Sequence, residues 1–189
     1  PQATAKEHLD ELLGLILGRQ PSKQNLEGTK GALLVRLLQQ AWPQADTKIG
    51  GEVIGAKLIE FVRQVPTSFL AKLSEAIDAV GVENVLTPKA ASSFLAANPA
   101  CLKLDVQDPD ALPIRGAHRA SLGTLAVKAS AELPEVHDPK IARLPRDHPV
   151  LVLSRGHQSL LAAKLLIDYG FTNVRVLEGG QEAWTWLGL

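Results

Sequence analysis

Apolar positions through residue 86 recur at helical spacing. Within residues 7–18 they fall at Leu9, Leu12, Leu13, Ile16 and Leu17, the stripe of an amphipathic helix. A second helix is predicted over residues 29–42, with Leu34, Leu37, Leu38 and Ala41 on one face and Pro43 as its stop. The third, over residues 50–64, presents Ile54, Leu58, Phe61 and Val62 before Pro66 closes it. A fourth starts with Thr67 or Ser68 as N-cap, carries Phe69, Leu70, Leu73, Ile77 and Val80, and breaks at Gly81. Four amphipathic helices joined by short polar turns make a small bundle, or an array that packs against something else.

Beyond residue 86 the period changes. Thr87 as N-cap and Pro88 at the first helical position open a helix over residues 88–97. Apolar segments at 102–106, 149–153 and 173–177 then alternate with helical stretches at about 158–169 and 180–187. Strands separated by helices imply crossover connections, hence an α/β fold with a parallel sheet covered on both faces. Ligand sites of such sheets form at the carboxyl ends of the strands. That rule selects Leu153-Ser154-Arg155-Gly156-His157-Gln158-Ser159, a Gly-bearing loop between strand and helix whose backbone N–H groups suit an anion.

Composition narrows the function classes. The 189 residues are 46% hydrophobic and 21% charged, ordinary for a globular chain. Charge is balanced in both halves, with nine basic and ten acidic residues through Leu86 and eleven and ten beyond it, within totals of 20 and 20. No nucleic-acid or anionic-membrane surface is expected from that balance, and 4% aromatic residues give little base-stacking platform. The longest apolar runs fall far short of a transmembrane segment. The single cysteine, Cys101, forms no internal disulfide and reads as a small core residue. The chain begins at Pro1 and contains no methionine, so either a targeting segment has been removed, organellar import being the expected cause, or the numbering covers a fragment.

Several motifs, in order, give the second half a family likeness. Leu104-Asp105-Val106 stands as a first core strand and Ile114-Arg115-Gly116-Ala117 as a variant of Ile-Pro-Gly-Ala. After the 153–159 loop come Asp168-Tyr169-Gly170-Phe171-Thr172-Asn173-Val174 and Leu177-Glu178-Gly179-Gly180-Gln181-Glu182-Ala183-Trp184. Together they resemble the rhodanese (sulfurtransferase) homology domain over residues 87–189, which leaves residues 1–86 as a helical region of no recognised family. The resemblance implies the rhodanese-like parallel sheet. It also implies that an active member would carry a loop of the form C-x-x-G-x-R-S, whose thiolate takes up sulfur as a persulfide.

Here the loop departs from that pattern. Ungapped alignment on Gly156 and Ser159 puts Leu153 at the cysteine position and Gln158 at the arginine position, and a one-residue gap puts Ser154 in place of the cysteine. Neither Leu nor Ser forms a persulfide. Gln107 replaces the arginine that often follows the strand aspartate, and Leu112-Pro113 replaces the usual Gly-His. Phosphatases of this fold also depend on the loop cysteine.

Two function classes follow. The first is a catalytically inactive rhodanese-like module with a structural or protein-interaction role, partnered by other protein subunits in a larger assembly. The second is an enzyme: a sulfurtransferase working through Cys101, or a hydrolase using Ser154 and His157. Loop neighbours this close in sequence rarely have nucleophile–base geometry, so His157 reads as a solvated loop histidine. Asp105, at a strand end, is expected to bind loop backbone rather than to act as a base. Arg155 with the backbone of Gly156, His157, Gln158 and Ser159 retains the chemistry for weak anion binding. His118, His137 and His148 fall in predicted loops without paired spacing, so neither a metal nor a cofactor is expected. Trp184 reads as core, and Trp186 as a residue open to a partner.

Overall fold

A computed structural model of the protein describes residues 67–154, 157–180, 184–185 and 188. The helices expected over residues 7–18, 29–42 and 50–64 lie outside the described residues. The chain divides into two compact units, Pro1–Glu75 and Ala76–Leu189. The fourth expected helix is present as α1 (Thr67–Val80), which buries Leu73, Ala76, Ile77 and Val80 at helical spacing. Gly81, at φ 78°, follows it.

Among the described residues, a parallel five-stranded sheet with its helices forms the rest. In chain order come β1 (Val85–Leu86), α2 (Pro88–Ala97), β2 (Leu102–Asp105), β3 (His118–Arg119), α3 (Leu122–Ala129), α4 (Pro139–Ala142), β4 (Val150–Leu153), α5 (Gln158–Asp168) and β5 (Val174–Leu177). The spatial order is β1-β5-β4-β2-β3, with every pairing parallel. Both edge strands are only two residues long.

β4 is buried at all four positions, as a central strand covered on both faces must be. Alternation along the strands sends Leu151 and Leu153 to one face, where they join Cys101, Ile114, Leu177, Ala91 of α2 and Trp184 in a single apolar cluster. Phe94 and Leu95 of α2 pack against it. Leu160, Ala162, Ala163 and Leu166 of α5 are buried but belong to none of that cluster, and α5 packs on β4 and β5, so helices cover both faces. The architecture is therefore the α/β one expected from the alternation of strands and helices, a parallel sheet covered on both faces.

Local chemistry sets the element ends. Thr87 Oγ1 accepts from Ala90 N at 3.4 Å, with Pro88 at the first helical position. At the end of α5, Phe171 N donates to Leu166 O at 3.0 Å and Gly170 N to Ile167 O at 2.8 Å, a Schellman closure with Gly170 at φ 87°. Phe171 is then buried, which accounts for the Tyr-Gly-Phe order of that motif.

Two expectations change here. His118 is a strand residue rather than a loop residue: β3 pairs its His118 and Arg119 with Leu104 and Asp105. The strand Val85–Leu86 was not anticipated, because two residues carry no period. The helix expected over residues 180–187 and the side chain of Trp186 fall wholly or partly outside the described residues.

Candidate functional site

The carboxyl ends of β2 and β4 lie side by side, since Asp105 pairs with Leu153 and Val106 N donates to Leu153 O at 3.0 Å. The 153–159 loop leaves the sheet at this point. Leu153 is the last residue of β4 and is fully buried, and Ser154 after it is 1% exposed. Arg155 and Gly156 lie outside the described residues. His157 adopts helical backbone, and its carbonyl accepts from Leu160 N at 3.1 Å, so it stands directly before α5. Gln158 and Ser159 are the first residues of that helix rather than loop residues, and Ser159 is buried.

His157 is not the solvated loop residue that the sequence suggests. It is half-buried at the helix start, and burial lowers its pKa below the ordinary histidine value, favouring the neutral ring.

Beside this loop, the 106–114 segment is tied down by buried groups. The Asp105 carboxylate, fully buried, accepts from Gln107 N through Oδ1 and from Ile114 N through Oδ2, each at 3.1 Å. Its structural role is the one its strand-end position suggested. Arg119, which no motif singled out, places its Nε 3.9 Å from Asp105 Oδ2 and donates through Nη2 to the carbonyls of Asp108 and Ala111. Gln107 donates through Nε2 to Leu112 O at 3.3 Å. Gln158 Nε2 in turn donates to Asp108 Oδ2 at 3.1 Å, joining this segment to the start of α5. Gln158 and Gln107, at positions where the family often has arginines, thus serve as neutral ties within the protein, and the Asp108 carboxylate brings negative charge to the helix start.

Cys101 sits elsewhere. It precedes β2, at the amino end of the sheet, in the apolar cluster with Leu151 and Trp184. Burial pushes its thiol up to about 11, against smaller opposing effects from a Leu151 backbone hydrogen bond and the Lys103 charge. Alkylation by iodoacetamide at pH 8 is expected to run roughly a hundredfold slower in the folded protein than in the urea-unfolded chain, because the thiolate is rarer by about two powers of ten. A rate within threefold of the unfolded one would refute the burial of this thiol. Since folding raises this pKa, its stabilising contribution is complete below the unfolded value of 9.0 and is lost as pH rises toward 11.

Among the described residues, no group of three His, Cys, Asp or Glu side chains is arranged to hold a metal ion. None of their helices is long and apolar enough to cross a membrane. His118 Nε2 instead meets Asp138 Oδ2 at 2.6 Å, and His148 Nε2 meets the Ala100 carbonyl at 3.0 Å. Trp184 is core, as expected: it is 3% exposed, and its indole N–H donates to Arg115 O at 3.2 Å.

The chain is similar to a protein of unknown function and possible tyrosine phosphatase from Rhodopseudomonas palustris CGA009, with 27% identity, a TM-score of 0.51, and coverage of 62% of this chain and 89% of that one. It is also similar to a 30 kDa polysulfide-sulfur transferase homodimer from Wolinella succinogenes, with 27% identity, a TM-score of 0.44, and coverage of 65% and 85%. No curated protein matches. The profile of the Rhodanese-like domain matches residues 92–186, half of the chain, and together with the parallel sheet and the order of its motifs this places the protein in the rhodanese-like domain family.

Proposed function

We propose that this rhodanese-like domain is catalytically inactive and serves as a structural or protein-interaction module, with residues 1–86 supplying a helical interaction region and other protein subunits as its partners. One observation carries the reading. Both residues that can occupy the position of the family's nucleophile, Leu153 and Ser154, are buried at the end of β4, with 0% and 1% exposure, and neither is a thiol. The chain's one cysteine lies at the opposite end of the strands, protonated at neutral pH.

The hydrolase alternative meets the same obstacle. Burial favours the neutral form of His157, which a base requires, but Ser154 is buried and its hydroxyl is shut away from substrate. Anion binding at the loop would be weak. The α5 N-terminus offers donors and about half a positive charge, yet the Asp108 carboxylate already occupies the Gln158 amide there.

Sulfur transfer from thiosulfate to cyanide tests the catalytic half of the proposal. The protein and its Cys101→Ser variant are both expected to give no rate above the uncatalysed one. A rate that the substitution abolishes would establish an enzyme instead. For the interaction half, mass spectrometry of the natively isolated protein is expected to return a stoichiometric partner, and isolation as an ideal monomer without one would count against it.

A further inference from the structure

Large apolar side chains left in solvent by the described residues gather in one place. Val127, Leu133, Val136 and Tyr169, at 43%, 45%, 57% and 38% exposure, belong to the end of α3, its connection to α4 and the end of α5, while Leu112 stands apart on the 106–114 segment. Hydrogen bonds draw these stretches together. Tyr169 Oη donates to Ala126 O at 2.9 Å, Asp138 N to Lys128 O at 2.9 Å, and Val136 N to Leu133 O at 3.1 Å, so Tyr169 and the turn after Leu133 both come back to the last turn of α3, which carries Val127. Helices α4 and α5 also pack against α3. Exposed leucines and valines are ordinary one at a time, but four large apolar side chains at one end of one helix make a patch of the kind that marks a contact site.

The rim of this patch is acidic. Between Lys128 and Lys140 the chain carries the carboxylates of Glu132, Glu135 and Asp138 and no lysine or arginine. Glu132 and Glu135 flank Leu133 and Pro134, are exposed, and have no ion pair among the described residues. Asp138 is held by His118, and on α5 Lys164 is matched by Asp168 at 2.7 Å. Lys128, half-buried in α3, offsets one of these charges, and the rim stays negative. That sign decides between occupants. A second copy of this chain seated on the same patch about a two-fold axis would bring Glu132 and Glu135 against their own counterparts, like charges at short range. A basic partner meets them with the opposite charge.

We propose that this patch docks an amphipathic helix of another protein, its apolar stripe on Val127, Leu133, Val136 and Tyr169 and its flanking lysines or arginines against Glu132 and Glu135. The patch is built from helix ends and a turn rather than a strand edge, so side chains make its contacts, and a helix with apolar anchors at i, i+3, i+4 and i+7 supplies them from one face. The eight residues of α3 span about 12 Å, a length matched by two to three turns of a partner helix. Opposite charge at the rim speeds encounter and fixes the orientation of the docked helix. The inference rests on the interaction role proposed above, to which it gives a surface and a partner class, and it does not involve the 153–159 loop.

A synthetic amphipathic helix of about 14 residues, with leucine at i, i+3, i+4 and i+7 and lysine at the flanking positions, is titrated into the ¹⁵N-labelled full chain and followed by amide chemical shifts. Saturable shifts are expected at residues 124–136 and at Tyr169, with Kd below about 1 mM. A peptide with glutamate in place of lysine, and one with serine in place of leucine, should each bind about tenfold more weakly, which separates charge and apolar contact. Val127→Ser and Val136→Ser should each weaken the lysine peptide about fivefold, and the Glu132→Lys, Glu135→Lys double variant about tenfold. All four substituted side chains are exposed, so these variants keep the fold. No saturation below about 10 mM, equal affinity for the glutamate peptide, or an affinity unmoved by Val136→Ser would each overturn the proposal. Concentration-dependent dimerisation of the full chain that Val136→Ser abolishes would assign the patch to a second copy instead. A stoichiometric partner in native mass spectrometry that survives Val136→Ser would keep the interaction role and reject this surface for it.

Discussion

Replacing Trp184 with alanine is expected to destabilise the domain by about 3–5 kcal/mol, the range for deleting a large buried aromatic side chain. The indole is 3% exposed and closes the cluster formed by Leu151, Leu153, Leu177, Cys101 and Ala91. Truncation leaves a cavity beneath α2, and it also strands the Arg115 carbonyl, which accepts the indole N–H. Urea unfolding followed by far-UV circular dichroism measures the loss without relying on the fluorophore being removed. Trp184→Phe keeps most of the volume and loses only the donor, so it should cost about 1–2 kcal/mol. A cost below about 1 kcal/mol for the alanine variant would mean that the closing motif does not seal the core.

Asp105→Ala is expected to cost about 2–4 kcal/mol through unmade hydrogen bonds rather than lost volume. Its carboxylate is fully buried and takes two backbone N–H groups, those of Gln107 and Ile114. Both donors would be left inside, with Arg119 Nε deprived of its nearby charge. The loss should be local as well as global: hydrogen exchange at Gln107 and Ile114 should accelerate more than at Leu151 or Val152 in β4. Asp105→Asn retains one acceptor oxygen and presents an amide to the other donor, so its cost should lie between wild type and alanine. Uniform acceleration across the sheet would show that Asp105 serves the fold as a whole rather than the 106–114 segment.

How much of this was legible in the sequence depends on how local each feature is. The central strands were readable, because a parallel strand buried on both faces is a continuous apolar run, as Val150-Leu151-Val152-Leu153 is. The closure at Gly170 and the cap at Thr87 were readable because their chemistry is fixed within a few residues. The edge strands were not, since Val85–Leu86 and His118–Arg119 become strands only through the neighbours they pair with. The burial of His157 and the latch formed by Arg119 depend on groups brought together across the sheet.

The two-residue length of both edge strands also limits how the domain can meet another protein. A peptide that adds itself to a sheet needs a row of unpaired main-chain donors and acceptors, and a long exposed edge is the usual template for that and for self-association. Here each edge offers two residues. Among the described residues, the sheet therefore offers strand addition little main chain, and the surface left for any contact is one of side chains on helices and loops.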